Sequence, residues 1–74
     1  MTEEQYQEKL LAQGGVCWIC GRPPKTRHLN VDHNHKTKKV RGLLCFLCNQ
    51  GIGFFRDNPE FLLRAIDYLR KFDG

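Results

Sequence analysis

Between Leu29 and Asn49 the chain reads LNVDHNHKTKKVRGLLCFLCN. Leu29, Val31 and His33 alternate with Asn30 and Asp32, the two-residue period of a short strand. Asn34 to Lys39 contains no apolar residue and is expected to form an exposed turn, after which Val40 to Leu44 reads as a return strand running into Cys45. The stretch is therefore a hairpin with a strongly basic tip. It ends in a Cys-x-x-Cys pair, Cys45 and Cys48, with Asn49 directly behind it.

A matching pair, Cys17 and Cys20, precedes the hairpin. Below about 70–80 residues a core seldom stabilises a fold by more than roughly 3–5 kcal/mol, so a 74-residue chain needs a staple. Zinc prefers a tetrahedral shell, and each Cys-x-x-Cys turn supplies two sulfurs at Zn–S distances of about 2.3 Å. Cys17, Cys20, Cys45 and Cys48 together fill such a shell and leave no position for water, so the reading is one structural Zn²⁺. An iron centre of rubredoxin type is the alternative; the presence of both pairs argues against a redox dithiol. The N-terminal residues Met1 to Glu8 lack a basic segment followed by an apolar one, so no secretory signal is expected. Cysteines of this pattern then point to metal ligation in a reducing cytoplasm rather than to disulfides.

Outward from the hairpin the elements are helical. Thr2 and Gln5 match a capping box, Tyr6 and Leu10 give a short stripe, and Gly14-Gly15 is a stop, predicting a helix over 3–13. Arg22 to Lys25 is loop chemistry. From Phe46 to Phe55 the pattern is apolar, but Gly51 and Gly53 each cost about 1 kcal/mol in a helix, so one or two turns are expected. Asn58 as cap, Pro59 at the first position and Glu60 in the first turn predict a helix over 59–72. Its stripe, Leu62, Ala65, Ile66 and Leu69, is expected to face the core. The sum is one small α+β domain covering 1–74, without repeat or linker.

Charge narrows the partner. The formal net charge is +4, and from Arg22 to Arg41 seven basic residues stand against the single acid Asp32, so this segment holds +6 while the remainder sums to −2. A polyanion fits that distribution. No apolar run approaches the roughly 18 residues a membrane span needs, so no membrane partner is expected.

The one acid of the basic segment sits beside His33, with His35 two residues on. Neighbours on a strand point to opposite faces, so Asp32 and His33 serve one site only where the strand ends or curls. Asn49 would be fixed by the cysteine pair before it. The competing reading pairs Asp32 with a nearby Arg or Lys and leaves Asn49 as a turn cap.

The whole pattern resembles the recombination endonuclease VII family, within the wider group of HNH, or ββα-metal (His-Me finger), nucleases. The resemblance rests on the first Cys-x-x-Cys, the Asp32-His33-Asn34-His35 strand end, Val40-Arg41-Gly42-Leu43-Leu44-Cys45-Phe46-Leu47-Cys48-Asn49, and a final helix rich in Leu, Ala and Ile. It departs at Lys38, where the family often has glycine in the hairpin turn. The literal run His33-Asn34-His35 spells HNH by accident, because the signature residues are spread over the motif.

The resemblance implies a ββα-metal fold and metal-assisted hydrolysis of DNA. It implies His33 as general base, one Mg²⁺ or Mn²⁺ held by Asp32 and Asn49, and products with a 5′-phosphate and a 3′-hydroxyl. His35 would orient the site or act as a secondary ligand. Lys39 and Arg41 are candidates for gripping the phosphate backbone, and His28 is assigned nothing. A chain this short without a separate targeting segment points to weakly specific nicking, with a monomer favoured and a dimer still open. Two rivals remain: a zinc knuckle that binds nucleic acid without cutting it, and a zinc-stabilised protein-interaction domain.

Overall fold

A computed structural model of the chain describes residues 1–24 and 28–72, so Lys25 and Arg27 of the basic segment lie outside the described residues. The order of elements is α1 (Glu3–Ala12), β1 (Asn30–His33), β2 (Val40–Leu44), α2 (Phe46–Phe54) and α3 (Pro59–Phe72). This is a small α+β arrangement of one two-stranded antiparallel hairpin and three helices.

Local chemistry explains the helix ends. Thr2 Oγ1 accepts from the Gln5 backbone N–H at 3.2 Å, and Gln5 Oε1 accepts from the Thr2 N–H at 2.9 Å, closing the capping box. Helix α1 ends at Ala12 because Gly14 and Gly15 turn left-handed, with φ of 70° and 77°. Helix α2 is longer than expected, nine residues with both glycines inside it. The Cys45 sulfur caps its start, accepting from the Cys48 N–H at 3.4 Å, and Ile52 packs on the core, which together outweigh the glycine cost. Asn58 Oδ1 caps α3, accepting from the Glu60 N–H at 2.9 Å.

The core is small and sits at the cysteine end of the hairpin. Cys17, Leu29, Leu43 and Leu44 are buried, flanked by Tyr6, Leu10, Val31 and Ile52. The Tyr6 hydroxyl donates to the Leu29 carbonyl at 2.9 Å, which fastens α1 to the strand. Gln13 does the same for β2: its Oε1 accepts from the Leu43 N–H and its Nε2 donates to the Leu43 carbonyl, both at 2.9 Å. A side-chain amide thus pairs the outer edge of β2 as a further strand would. Of the stripe predicted to face the core, Leu62 and Ala65 are half-buried while Ile66 and Leu69 are exposed, and none of the four packs against the core cluster. No helix among the described residues is long and apolar enough to cross a membrane.

The register of the hairpin carries one irregularity. Asn30 faces Leu44, Val31 faces Leu43 and Asp32 faces Gly42, but His33 faces Val40. Arg41 is therefore an extra residue, a β-bulge, which re-aims side chains and increases local twist. The simple alternation along β1 does not hold either: Asp32 is buried and His33 is exposed.

Candidate active site

The hairpin holds a different site at each end. At the cysteine end, Cys17 follows the stop of α1 and Cys45 follows the last residue of β2. The four sulfurs lie within 4.8 Å of one another, the only cluster of its kind among the described residues. Cys20 Sγ and Cys45 Sγ are 3.8 Å apart, which matches the edge of about 3.8 Å that a tetrahedron with Zn–S near 2.3 Å requires. The donor set fits one structural zinc. Burial raises the Cys17 thiol, but the backbone N–H groups of Cys20, Cys45 and Ile19 outweigh it and lower it to about 6. Cys48 goes the other way, pushed up to about 12 by burial and by its contacts with Cys45, Cys20 and Cys17. All four sulfurs ligate as thiolates, so binding of the metal releases protons.

At the other end a groove of about 500 Å³ is lined by Asp32, His33, His35 and Asn49, with Asn34 and Lys38 at its edge. Three elements meet there. Asp32 and His33 both line this space although they are neighbours on a strand, at the point where β2 bulges opposite them at Arg41. Asn49 comes from the first turn of α2, where its N–H donates to the Cys45 carbonyl at 3.0 Å, so the cysteine knuckle sets its position. Asn34 shapes the turn, with its Oδ1 accepting from the N–H groups of Lys36 at 2.8 Å and Thr37 at 3.0 Å. Lys38 adopts a left-handed φ of 66°, the conformation that favours glycine at this position.

Asp32 is engaged on both oxygens. Arg41 donates from Nε to Oδ2 at 2.6 Å and from Nη2 to Oδ1 at 3.0 Å, a two-pronged pair that the bulge makes possible. Arg41 Nη2 also donates to Asp57 Oδ2 at 3.4 Å, and His35 Nε2 lies 3.1 Å from that same oxygen. Hydrogen bonding to Asp32, partly opposed by burial, and the charges of Asp32 and Asp57 hold the Arg41 guanidinium above its ordinary pKa. Arg41, though exposed, is thus committed to two carboxylates, whereas Lys36, Lys38 and Lys39 are exposed and form no ion pair with a described residue.

A carboxylate offers about four lone-pair sites, of which Arg41 takes two. With the Asn49 amide in the same groove, the oxygen donors present fit a hard divalent cation. Asp57 is an unforeseen neighbour of the groove, in contact with His35 and with the Arg41 that grips Asp32. It lies in the connection between α2 and α3, and no local pattern marks it, because its partners Arg41 and His35 belong to the hairpin, far from it in sequence.

A family model described as recombination endonuclease VII matches residues 1–71. The chain belongs to the recombination endonuclease VII family. Among its relatives, the "Gene 59 protein" of Mycobacterium phage D29 is 55% identical over 73 residues, which is 96% of this chain and 44% of that protein. The "Gene 59 protein" of Mycobacterium phage L5 is 49% identical over 71 residues, 93% of this chain and 43% of that one. The chain thus spans less than half the length of these curated relatives. The family match takes in both ends of the hairpin, the cysteine knuckle and the groove alike.

Proposed function

We propose that this domain is a metal-dependent endonuclease that hydrolyses DNA phosphodiester bonds with little sequence preference, nicking rather than cutting through. The hairpin and α2 would form its ββα-metal unit. The observation that carries the reading is the convergence of Asp32, His33 and Asn49 on one groove, within the region matched by the family.

His33 is the general base. Its exposed imidazole stands in the groove, where a ring nitrogen can accept a proton from an attacking water. An Asp32 oxygen and the Asn49 amide oxygen hold one Mg²⁺ or Mn²⁺. When bound, the ion polarises the phosphate and stabilises the leaving oxygen. Lys36, Lys38 and Lys39 at the hairpin tip neutralise flanking phosphates, with Lys38 nearest the groove. His35, held against Asp57, orients the groove wall.

The engagement of Asp32 by Arg41 favours one rival, a zinc knuckle that binds nucleic acid without cutting it, since it gives the carboxylate a partner without any metal. Incubation with supercoiled plasmid and Mg²⁺ or Mn²⁺ separates the two. Cleavage should stop in EDTA under conditions that leave zinc bound, and return with Mg²⁺ or Mn²⁺ alone. His33→Ala should keep zinc and DNA binding while cleavage falls by about 10²-fold or more. Wild-type protein that binds DNA with steep salt dependence and never nicks it would establish the binding module instead.

A further inference from the structure

We infer that Asp57 is a positioning residue for the metal-binding carboxylate: it holds the Arg41 guanidinium, and through it sets the orientation of Asp32 and the charge that an incoming cation meets. The inference rests on the nuclease reading above and concerns a residue outside its set of direct ligands.

The geometry is a relay. Arg41 grips Asp32 with Nε and Nη2, at 2.6 and 3.0 Å, and the same Nη2 reaches Asp57 Oδ2 at 3.4 Å. Both carboxylates are largely withdrawn from solvent, at 10% side-chain exposure for Asp32 and 18% for Asp57. Were Arg41 to answer to Asp32 alone, the pair would be neutral, and its positive charge would stand wholly against a cation bound on Asp32. With Asp57 on the other side the three groups sum to −1, and the guanidinium is drawn between two anions. Asp57 therefore restores the attraction for a divalent ion that the Arg41–Asp32 pair removes, and fixes the fork in place.

The backbone aims Asp57 at this task. Helix α2 closes with the Arg56 N–H donating to the Gly53 carbonyl and the Asp57 N–H to the Ile52 carbonyl, both at 2.9 Å, the pattern of a Schellman motif. Arg56 and Asp57 are both left-handed, with φ of 58° and 53°. Two successive non-glycine residues in that region are uncommon. The turn they form brings Asp57 back against the hairpin, where its Oδ2 meets both Arg41 and His35.

Asp57→Asn tests the relay, because asparagine keeps the shape and tolerates a left-handed φ while removing the charge. Mn²⁺ is titrated into zinc-loaded protein with duplex DNA in a His33→Ala background, and unbound Mn²⁺ is read by electron paramagnetic resonance, so that binding is seen without turnover. Asp57→Asn should weaken Mn²⁺ binding by about 10-fold or more with zinc content unchanged. With His33 intact, the Mn²⁺ concentration for half-maximal plasmid nicking should rise by a similar factor, and saturating Mn²⁺ should recover the rate. Asp67→Asn, on the exposed side of α3, controls for loss of a negative charge and should move neither. Should Asp57→Asn lose zinc or melt early, Arg41→Lys, which keeps the charge but loses the fork, is read in the same titration and should also weaken Mn²⁺. An unshifted titration in the folded variant, or an equal shift in Asp67→Asn, overturns the positioning role while the nuclease stands. Parent protein that binds no Mn²⁺ overturns both.

Discussion

The cysteine end of the hairpin and helix α3 are both rich in apolar residues, yet they treat them in opposite ways. Around Cys17, Leu29, Leu43 and Leu44 the chain withdraws side chains almost completely from water, using segments that meet from three parts of the sequence. Helix α3 has the broader apolar face, with Phe61, Ile66, Leu69 and Phe72 on one side and Glu60, Arg64, Asp67 and Lys71 on the other, but buries none of it fully, Leu62 and Ala65 being only half-buried. The whole chain exposes 6432 Å², where a compact folded chain of 8.7 kDa exposes about 4,700 Å². What organises this domain is therefore the cross-link and the few groups that lock onto it, while amphipathic pattern alone contributes a helix without a core.

The largest expected effect follows directly. Removing the metal from the four cysteines, or replacing Cys45 with serine, should unfold the hairpin and α2 together, because binding energy at such a site is largely folding energy. Circular dichroism before and after chelation checks it. A chain that stays folded with neither zinc nor iron bound would break the comparison at its stronger side.

Next in size is Gln13. Its amide satisfies both backbone groups of Leu43, a residue with 0% exposure. Gln13→Ala leaves the buried Leu43 N–H without a partner, while the Leu43 carbonyl keeps the Trp18 N–H at 3.1 Å, and should cost about 1–3 kcal/mol in denaturant unfolding, with zinc still bound. A change within about 0.3 kcal/mol would mean that water or a neighbouring group takes over the edge of β2.

These two sites differ in how far the sequence discloses them. The cysteine spacing and the helices starting at Glu3 and Pro59 were legible because each depends on local rules: ligand spacing, and caps at Thr2 and Asn58. Lys38 could be singled out as standing where glycine is common, and its φ of 66° shows what the turn demands of it. The bulge at Arg41 left no local mark, since it is a property of how two strands align. Nor did Gln13 or Asp57, whose partners Leu43 and Arg41 lie on β2, remote from both in sequence. The pairing of Asp32 with Arg41 was one of two open readings, and only the three-dimensional register shows that the same carboxylate can face both a guanidinium and the groove. The stripe on α3 misleads for the converse reason: periodicity reports which face is apolar, not whether anything covers it.

The smallest expected effect tests the weaker side of the comparison most directly. Leu69 is 64% exposed on α3, whereas Leu43 is 0% exposed on β2. Leucine and alanine are close in helix propensity, so truncating Leu69 isolates whatever packing the side chain has. Leu69→Ala should therefore change unfolding free energy by no more than about 0.5 kcal/mol, while Leu43→Ala, which opens a cavity in the closed part of the core, should cost about 2–5 kcal/mol. Urea titrations of the two zinc-loaded variants give both numbers on one scale. A loss at Leu69 above about 2 kcal/mol, the scale of a buried leucine, would mean that α3 is covered in solution, by a second copy or by folding back on the hairpin. The apolar face would then count as core after all, and the contrast between the two regions would reduce to one of contact partner rather than of burial.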